Sequence, residues 1–205
     1  MHQAVLKTRA GSNYLTEKEE KQLFGFMGCR CGYQVERDYV LLKLMRATGL
    51  RRSEVTALNM GDVWGKDKIV VDERIAAKGA VGEVYLPKEI RGLLRTYLRG
   101  MKRLGHDVAD DAPLFVSRKG NRLSLRSIND LVAKWCKEAG IGPITPHGFR
   151  HTKARRILDD RRFLSEEQQR KAFLLANRQL RHKSLNSTAI YTAPTKEDMS
   201  AAGAI

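Results

Sequence analysis

Lys68-Ile69-Val70-Val71-Asp72 and Gly82-Glu83-Val84-Tyr85-Leu86 are the two stretches that set the fold class. Both are short and rich in β-branched or aromatic residues, which predicts two strands. Ala77-Lys78-Gly79-Ala80 between them predicts a turn, and Pro87, which has no backbone donor, closes the second strand. Outward from this hairpin the chain follows a helical period. Upstream, Thr16-Glu17-Lys18-Glu19 is a capping box that opens a helix ending by Gly28. A second helix spans about Val35 to Thr48, with Val40, Leu41, Leu44 and Met45 on one face and Gly49 as its stop. A third begins near Arg52 or Ser53 and runs to about Asn59. Downstream, Lys88 to Arg103 is helical, with Ile90, Leu93, Leu94, Tyr97, Leu98 and Met101 on one face. Pro113 to Val116 is a short apolar run, followed by a turn at Arg118-Lys119-Gly120-Asn121. Further helices are predicted from about Leu125 to Ala139 (Ser124 as cap, Gly140 as stop) and from about His147 to Leu158. Ser165-Glu166-Glu167-Gln168 is a second capping box, opening a helix to about Leu180, and a short last helix holds Ser187 to Tyr191. The outcome is an α+β domain, mainly α, with a small sheet inserted after its third helix. Residues 1–14 are expected to be a flexible lead and residues 15–205 one domain.

The composition narrows the partners. The 205 residues are 42% hydrophobic, enough for a sizeable core. Lys plus Arg number 38 against 23 Asp plus Glu, a net charge of +15. The basic residues are spread along the chain, which implies a folded surface facing a polyanion, nucleic acid being the usual one. The three cysteines, Cys29, Cys31 and Cys136, form no disulfide framework and read as free thiols in a reducing compartment. Cys29-Arg30-Cys31 is too short for a standard zinc half-site, which leaves two to four residues between the sulfurs. No stretch approaches the roughly 20 apolar residues of a membrane span, and the N-terminus lacks the pattern of a signal peptide. A soluble, cytoplasmic protein is expected.

Three blocks could carry chemistry. In Thr48-Gly49-Leu50-Arg51-Arg52-Ser53-Glu54 a Gly ends one helix, an Arg sits at the turn and Ser-Glu opens the next helix. An Arg there adds to the positive field of the helix-start amides, a suitable place for a phosphate. In Pro146-His147-Gly148-Phe149-Arg150-His151, His147 and Arg150 are three apart on one face of a helix start. His147 and His151 are four apart, which raises zinc, but a zincin needs Glu after the first His and Gly148 stands there. An Arg fork beside an imidazole suits phosphate better. In Leu180-Arg181-His182-Lys183-Ser184-Leu185-Asn186-Ser187-Thr188-Ala189-Ile190-Tyr191, a His lies nine residues before a Tyr. Taken singly, each block is compatible with an ordinary surface loop, a capped basic helix or a half-buried Tyr.

Together, and in this order, the blocks resemble the tyrosine recombinases: phage integrases, Xer-type chromosome-dimer resolvases and fimbrial invertases. That family carries Arg, Lys, His-x-x-Arg, His or Trp, then Tyr, and here these fall on Arg51, Lys78, His147 with Arg150, His182 and Tyr191. The resemblance covers about Leu15 to Thr192. It implies a helical DNA breaking-rejoining core with a small antiparallel three-stranded sheet. It also implies attack by Tyr191 on a DNA phosphodiester, giving a 3′-phosphotyrosyl link and a free 5′-hydroxyl. In that scheme Arg51 and Arg150 clamp the non-bridging oxygens and His182 donates a further hydrogen bond. His147 takes the tyrosine proton, Lys78 protonates the leaving oxygen, and Glu54 supports Arg51 from behind. Neither metal, ATP nor any other cofactor is implied. The implied partner is double-stranded DNA, with a monomer in its absence and a homotetramer in the synaptic complex. From position and charge, Arg52, Lys119, Arg122, Arg126, Lys134 and Lys153 are candidate phosphate contacts.

Some features depart from the family pattern. Leu180-Arg181-His182 stands where the family usually has Leu-Gly-His. The stretch from Arg150 to His182 is several residues longer than expected, with the extra residues around Asp159 to Gln169. No helical core-binding domain precedes residue 15, which leaves open a catalytic fragment or a short, fimbrial-invertase-like member; the turn at Arg118 to Asn121 resembles one in those short members. Two other functions compete: a type IB topoisomerase, which usually has Lys where His147 stands, and a non-catalytic DNA-binding protein. A metal-dependent nuclease lacks an evident carboxylate cluster.

Overall fold

The computed structural model describes residues 13–160 and 165–181. Seven helices lie among them: α1 (Glu17–Gly28), α2 (Tyr33–Thr48), α3 (Arg52–Ala57), α4 (Lys88–Arg103), α5 (Leu125–Glu138), α6 (Pro146–Leu158) and α7 (Glu166–Leu180). Strands β1 (Lys68–Val71) and β2 (Gly82–Tyr85) form an antiparallel hairpin between α3 and α4. The last expected helix, Ser187 to Tyr191, lies outside the described residues, as do residues 1–12 of the expected lead. Asn13 is already docked, its amide donating to Thr145 Oγ1 at 3.1 Å.

Local chemistry sets most boundaries. In α1 the Thr16 hydroxyl accepts from the Glu19 N–H while the Glu19 carboxylate accepts from the Thr16 N–H, so two orphan donors are satisfied. Ser165 and Gln168 repeat the arrangement at α7. Ser124 caps α5 through the Ser127 N–H, and Thr145 caps α6 through the Gly148 N–H, with Pro146 at the first helical position, where no donor is needed. On α4 the buried face is Ile90, Leu94, Tyr97, Leu98 and Met101.

α2 is the central helix. Val40, Leu41, Leu42, Leu44 and Met45 are all buried, wider than a single stripe, because α1, α3, α4 and α6 pack around it. A polar clamp fixes its start. Asp38 Oδ1 accepts from the Arg37 guanidinium and Asp38 Oδ2 from Trp135 Nε1 at 2.9 Å, while Arg37 Nη1 donates to Val116 O at 2.8 Å. These buried groups are satisfied by one another.

The sheet has two strands among the described residues, one fewer than expected. Ile69 and Val71 of β1 and Val84 of β2 point into the core, and Val70 and Tyr85 point out, as a period of two requires. The apolar run Pro113 to Val116 makes only isolated bridges, Asn59 with Pro113 and Val116 with Arg122. Pro113 has no ladder donor, and Leu114, Phe115 and Val116 are all buried, so the run is a core-lining connector. Cys29 and Cys31 are exposed and Cys136 is buried, and none of the three is in a disulfide among the described residues. Among the described residues no helix is long and apolar enough to cross a membrane.

Candidate active site

The site is built around the junction of α2 and α3. α2 ends because Gly49 adopts a left-handed conformation, φ 70°. A Cβ there would also lie 2.7 Å from Leu180 Cδ2, so the end of that side chain would have to shift. Its carbonyl accepts from Arg150 Nη1 at 2.7 Å. Arg51, two residues on, is the N-cap of α3. Its backbone N–H donates to Glu54 Oε2 at 2.8 Å and its Nη1 to Glu54 Oε1 at 2.9 Å. The Glu54 side chain is 0% exposed and that of Arg51 is 24% exposed, so Arg51 keeps an open edge.

α6 brings the second block against the first. Thr145 and Pro146 set the helix start, which points His147 and Arg150 at the α2–α3 turn. Arg150 is only 1% exposed. Besides Gly49 O, it donates through Nη2 to Leu180 O, and so ties α6 to the ends of α2 and α7. Both of these acceptors are neutral carbonyl oxygens. His147 is held below the ordinary imidazole range by burial, then by the charges of Arg150 and Arg51. It is therefore neutral at physiological pH and able to accept a proton. His151 is pushed down to about 4 by burial, His147 and Arg150. The two rings meet edge to face at 4.6 Å, and among the described residues no third His, Cys, Asp or Glu joins them as a metal set.

The hairpin supplies the third element. Lys78 lies in a single 3-10 turn, Ala77–Gly79, where the sequence predicted a turn. Ala77 lines the same cavity as Arg51, Arg52, His147 and Arg150, a space of about 790 Å³ that Asn129, Ala133 and Ile144 also line. Residues far apart in the chain thus face one cavity, and three of them, Arg51, Arg52 and Arg150, are cations. His182 and Tyr191 lie outside the described residues.

Arg181 is the residue that sequence reasoning missed. It is the left-handed C-cap of α7, φ 50°, and the one non-glycine with positive φ among the described residues. Its Nη2 donates to Glu54 Oε2 at 2.6 Å and its Nε to Ala80 O at 3.1 Å, while Nη1 meets no acceptor among the described residues. Burial alone would raise the Glu54 carboxyl, but Arg181 and Arg51 outweigh it and hold the group below the usual carboxylate range. The signal was present: a long cation stood where a helix end favours glycine.

The candidate phosphate contacts divide. Arg52 is exposed at the cavity rim, with Nη1 donating to Asn129 Oδ1 at 2.7 Å. Lys119, Arg126 and Lys134 are exposed, Arg126 loosely paired with Asp130 at 3.8 Å and Lys134 lying over the Trp135 ring. Arg122 is exposed, but its guanidinium is already engaged by the protein. Its guanidinium donates to Thr56 O, Leu58 O and Asn59 Oδ1, which makes it a clasp on the end of α3 and the residues that follow. Lys153 is also weakened as a candidate. Its stem packs beside Gly49, and burial, with Arg46 nearby, lowers its pKa and disfavours the charged form.

Comparison with known proteins places this geometry. The phage integrase family matches residues 13–198. Tyrosine recombinase XerC of Corynebacterium efficiens is 31% identical over 187 residues, covering 90% of this chain and 55% of that protein. Tyrosine recombinase XerC of Thermodesulfovibrio yellowstonii is 32% identical over 167 residues, covering 78% of this chain and 51% of that protein. The chain spans about half the length of the curated relatives it matches. The crystal structure of XerA recombinase superposes with a TM-score of 0.70 at 26% identity, over 95% of this chain and 62% of that one. XerH site-specific recombinase bound to palindromic difH substrate, in a post-cleavage complex, shares the fold with a TM-score of 0.71 at 23% identity, over 100% of this chain and 55% of that one.

Proposed function

The chain belongs to the phage integrase family, and on that premise we propose that it is the catalytic domain of a site-specific recombinase that cuts and rejoins double-stranded DNA through a 3′-phosphotyrosyl intermediate. The observation that carries the proposal is that Arg51, His147 and Arg150 line one cavity, with the turn that bears Lys78 at its edge. Phosphoryl transfer at a diester builds negative charge on the non-bridging oxygens, and fixed cations stabilise it where it develops. Arg51, with its exposed edge, is the open arm of the clamp, and Arg150, locked by two carbonyls, is the buried arm.

The Tyr191 hydroxyl attacks phosphorus, and its proton passes to the neutral His147. A tyrosine pKa of about 10 makes that acceptor necessary at neutral pH. The bond to the 5′-oxygen breaks, and that oxygen takes a proton from Lys78. His182 donates to a further phosphate oxygen. The energy of the diester is kept in the tyrosyl link, so religation to a new 5′-hydroxyl needs no ATP and the reaction runs in both directions. The remaining exposed cations hold the DNA backbone. The chain acts as a monomer until DNA assembles four copies.

The test is covalent trapping. Protein and Tyr191→Phe are incubated in EDTA with fragmented, nicked genomic DNA of the source organism, stopped with SDS, and the attached ends are sequenced. Adducts with the unaltered chain alone, at recurring positions, are expected. Adducts that survive in Tyr191→Phe would remove Tyr191 as nucleophile. Relaxed circles without recombinants on any paired site would indicate topoisomerase action.

A further inference from the structure

The C-cap of α7 carries a residue that the strand-cleavage scheme does not use. A left-handed C-cap suits glycine, and a long side chain there bears a backbone cost that something must offset. At Arg181 the offset is visible. The side chain is 4% exposed and its guanidinium bridges Glu54 Oε2 and Ala80 O. The hairpin is shaped around its stem: Gly82 has φ 145°, and a Cβ on Gly82 would lie 3.0 Å from Arg181 Cδ. One side chain therefore joins three things. They are the helix end immediately before His182, the hairpin that bears Lys78, and the carboxylate that grips Arg51.

We propose that Arg181 is a positioning residue for strand cleavage, locking the Arg51–Glu54 pair and the Lys78 hairpin into one assembly. The inference rests on the recombinase reading above. Charge explains half of it. A carboxylate claimed by Arg51 alone would cancel the cation that must meet the phosphate. Shared with Arg181, Glu54 orients Arg51 and the trio keeps a net positive charge. Geometry explains the other half. Ala80 is two residues from Lys78, so the bond from Arg181 Nε sets how the hairpin tip sits over the cavity. Arg181 touches neither substrate nor reacting atoms in this scheme. It acts through Arg51 and Lys78.

The test compares the unaltered chain with Arg181→Gly, Arg181→Lys, Glu54→Gln and the Arg181→Gly/Glu54→Gln double variant. Glycine adopts the left-handed cap without strain, so the end of α7 is preserved. Single-turnover cleavage of a nicked site at saturating DNA is measured with DNA affinity, melting temperature and amide hydrogen exchange. Arg181→Gly is expected to slow cleavage by about tenfold or more while DNA affinity stays within about twofold. Arg181→Lys, a point charge without the fork, recovers only part of the rate. In the Glu54→Gln background the further loss falls to about threefold or less, because both residues act on Arg51. Exchange at residues 79–82 accelerates in Arg181→Gly while that of α4 does not change. A lowered melting temperature with an unchanged cleavage rate would mean a structural cap only and would overturn the inference. If the unaltered chain forms no adduct, the recombinase reading fails by itself. The exchange data then decide the tie between Arg181 and the hairpin, and an unchanged hairpin overturns it.

Discussion

Glu54→Gln is the most demanding test of the site's architecture. The Glu54 carboxylate receives three donors: the Arg51 N–H and Arg181 Nη2 on Oε2, and Arg51 Nη1 on Oε1. It has 0% exposure, so water cannot stand in for a lost acceptor. Glutamine keeps the shape but has one acceptor. Whichever way its amide turns, an NH₂ faces at least one donor, and a buried guanidinium loses its counter-charge. Removing one partner of a buried pair costs about 3–5 kcal/mol, and the retained acceptor places this change near the lower end. At about 2–4 °C per kcal/mol for a chain of this size, a loss of about 3 kcal/mol lowers the melting temperature by about 6–12 °C. The pH dependence has a definite sign. The folded carboxyl lies below its usual 4.5, so its contribution is complete above that value and is lost as pH falls through the lowered one. Urea unfolding of both chains across pH should show a stability gap that is flat around neutrality and closes in acid. A gap below about 1 kcal/mol at neutral pH would refute Glu54 as the shared node of the site.

Four other outcomes follow from the same geometry. Gly49→Ala meets a left-handed backbone and a 2.7 Å approach to Leu180 Cδ2; about 2–4 kcal/mol should be lost in urea unfolding, a loss of about 1–2 would show that Leu180 yields easily, and a smaller one would refute the backbone penalty. Arg122→Ala removes the clasp on Thr56, Leu58 and Asn59; stability should fall by about 2 kcal/mol with the salt dependence of DNA affinity unchanged. In the same titrations the unaltered chain should lose at least about tenfold in affinity between ~50 and ~200 mM salt, and Lys119→Ala should flatten the slope by about one; a flat response of the unaltered chain would rule out an electrostatic DNA surface. Because His147 sits below its usual 6.5, the acid limb of the cleavage rate should lie under that value; a limb above neutrality would disqualify it as the proton acceptor.

The order of elements was legible because its signals are local. Lys88 to Arg103 was read to the residue, since Pro87 marks its start and its buried face recurs every three to four positions. Thr16, Ser124, Ser165 and Gly49 announced helix ends through groups that bond within four residues of themselves. The pairing of Glu54 with Arg51 belongs to this class, being a capping contact three residues apart.

Other properties depend on what the fold brings from a distance. Pro113 to Val116 has the composition of a strand, yet its neighbours bury it as a connector. Arg122 has the charge of a phosphate contact, and three acceptors in the last turn of α3 and just beyond it engage its guanidinium. The Arg181 partners, Glu54 and Ala80, stand 127 and 101 residues away in the chain. Capping and periodicity act over a turn or two of backbone, so residue order reveals them directly. The exposure of a cation and the partner of a buried guanidinium are set by how α6, α7 and the hairpin close on the α2–α3 turn, and that packing is a property of the whole chain.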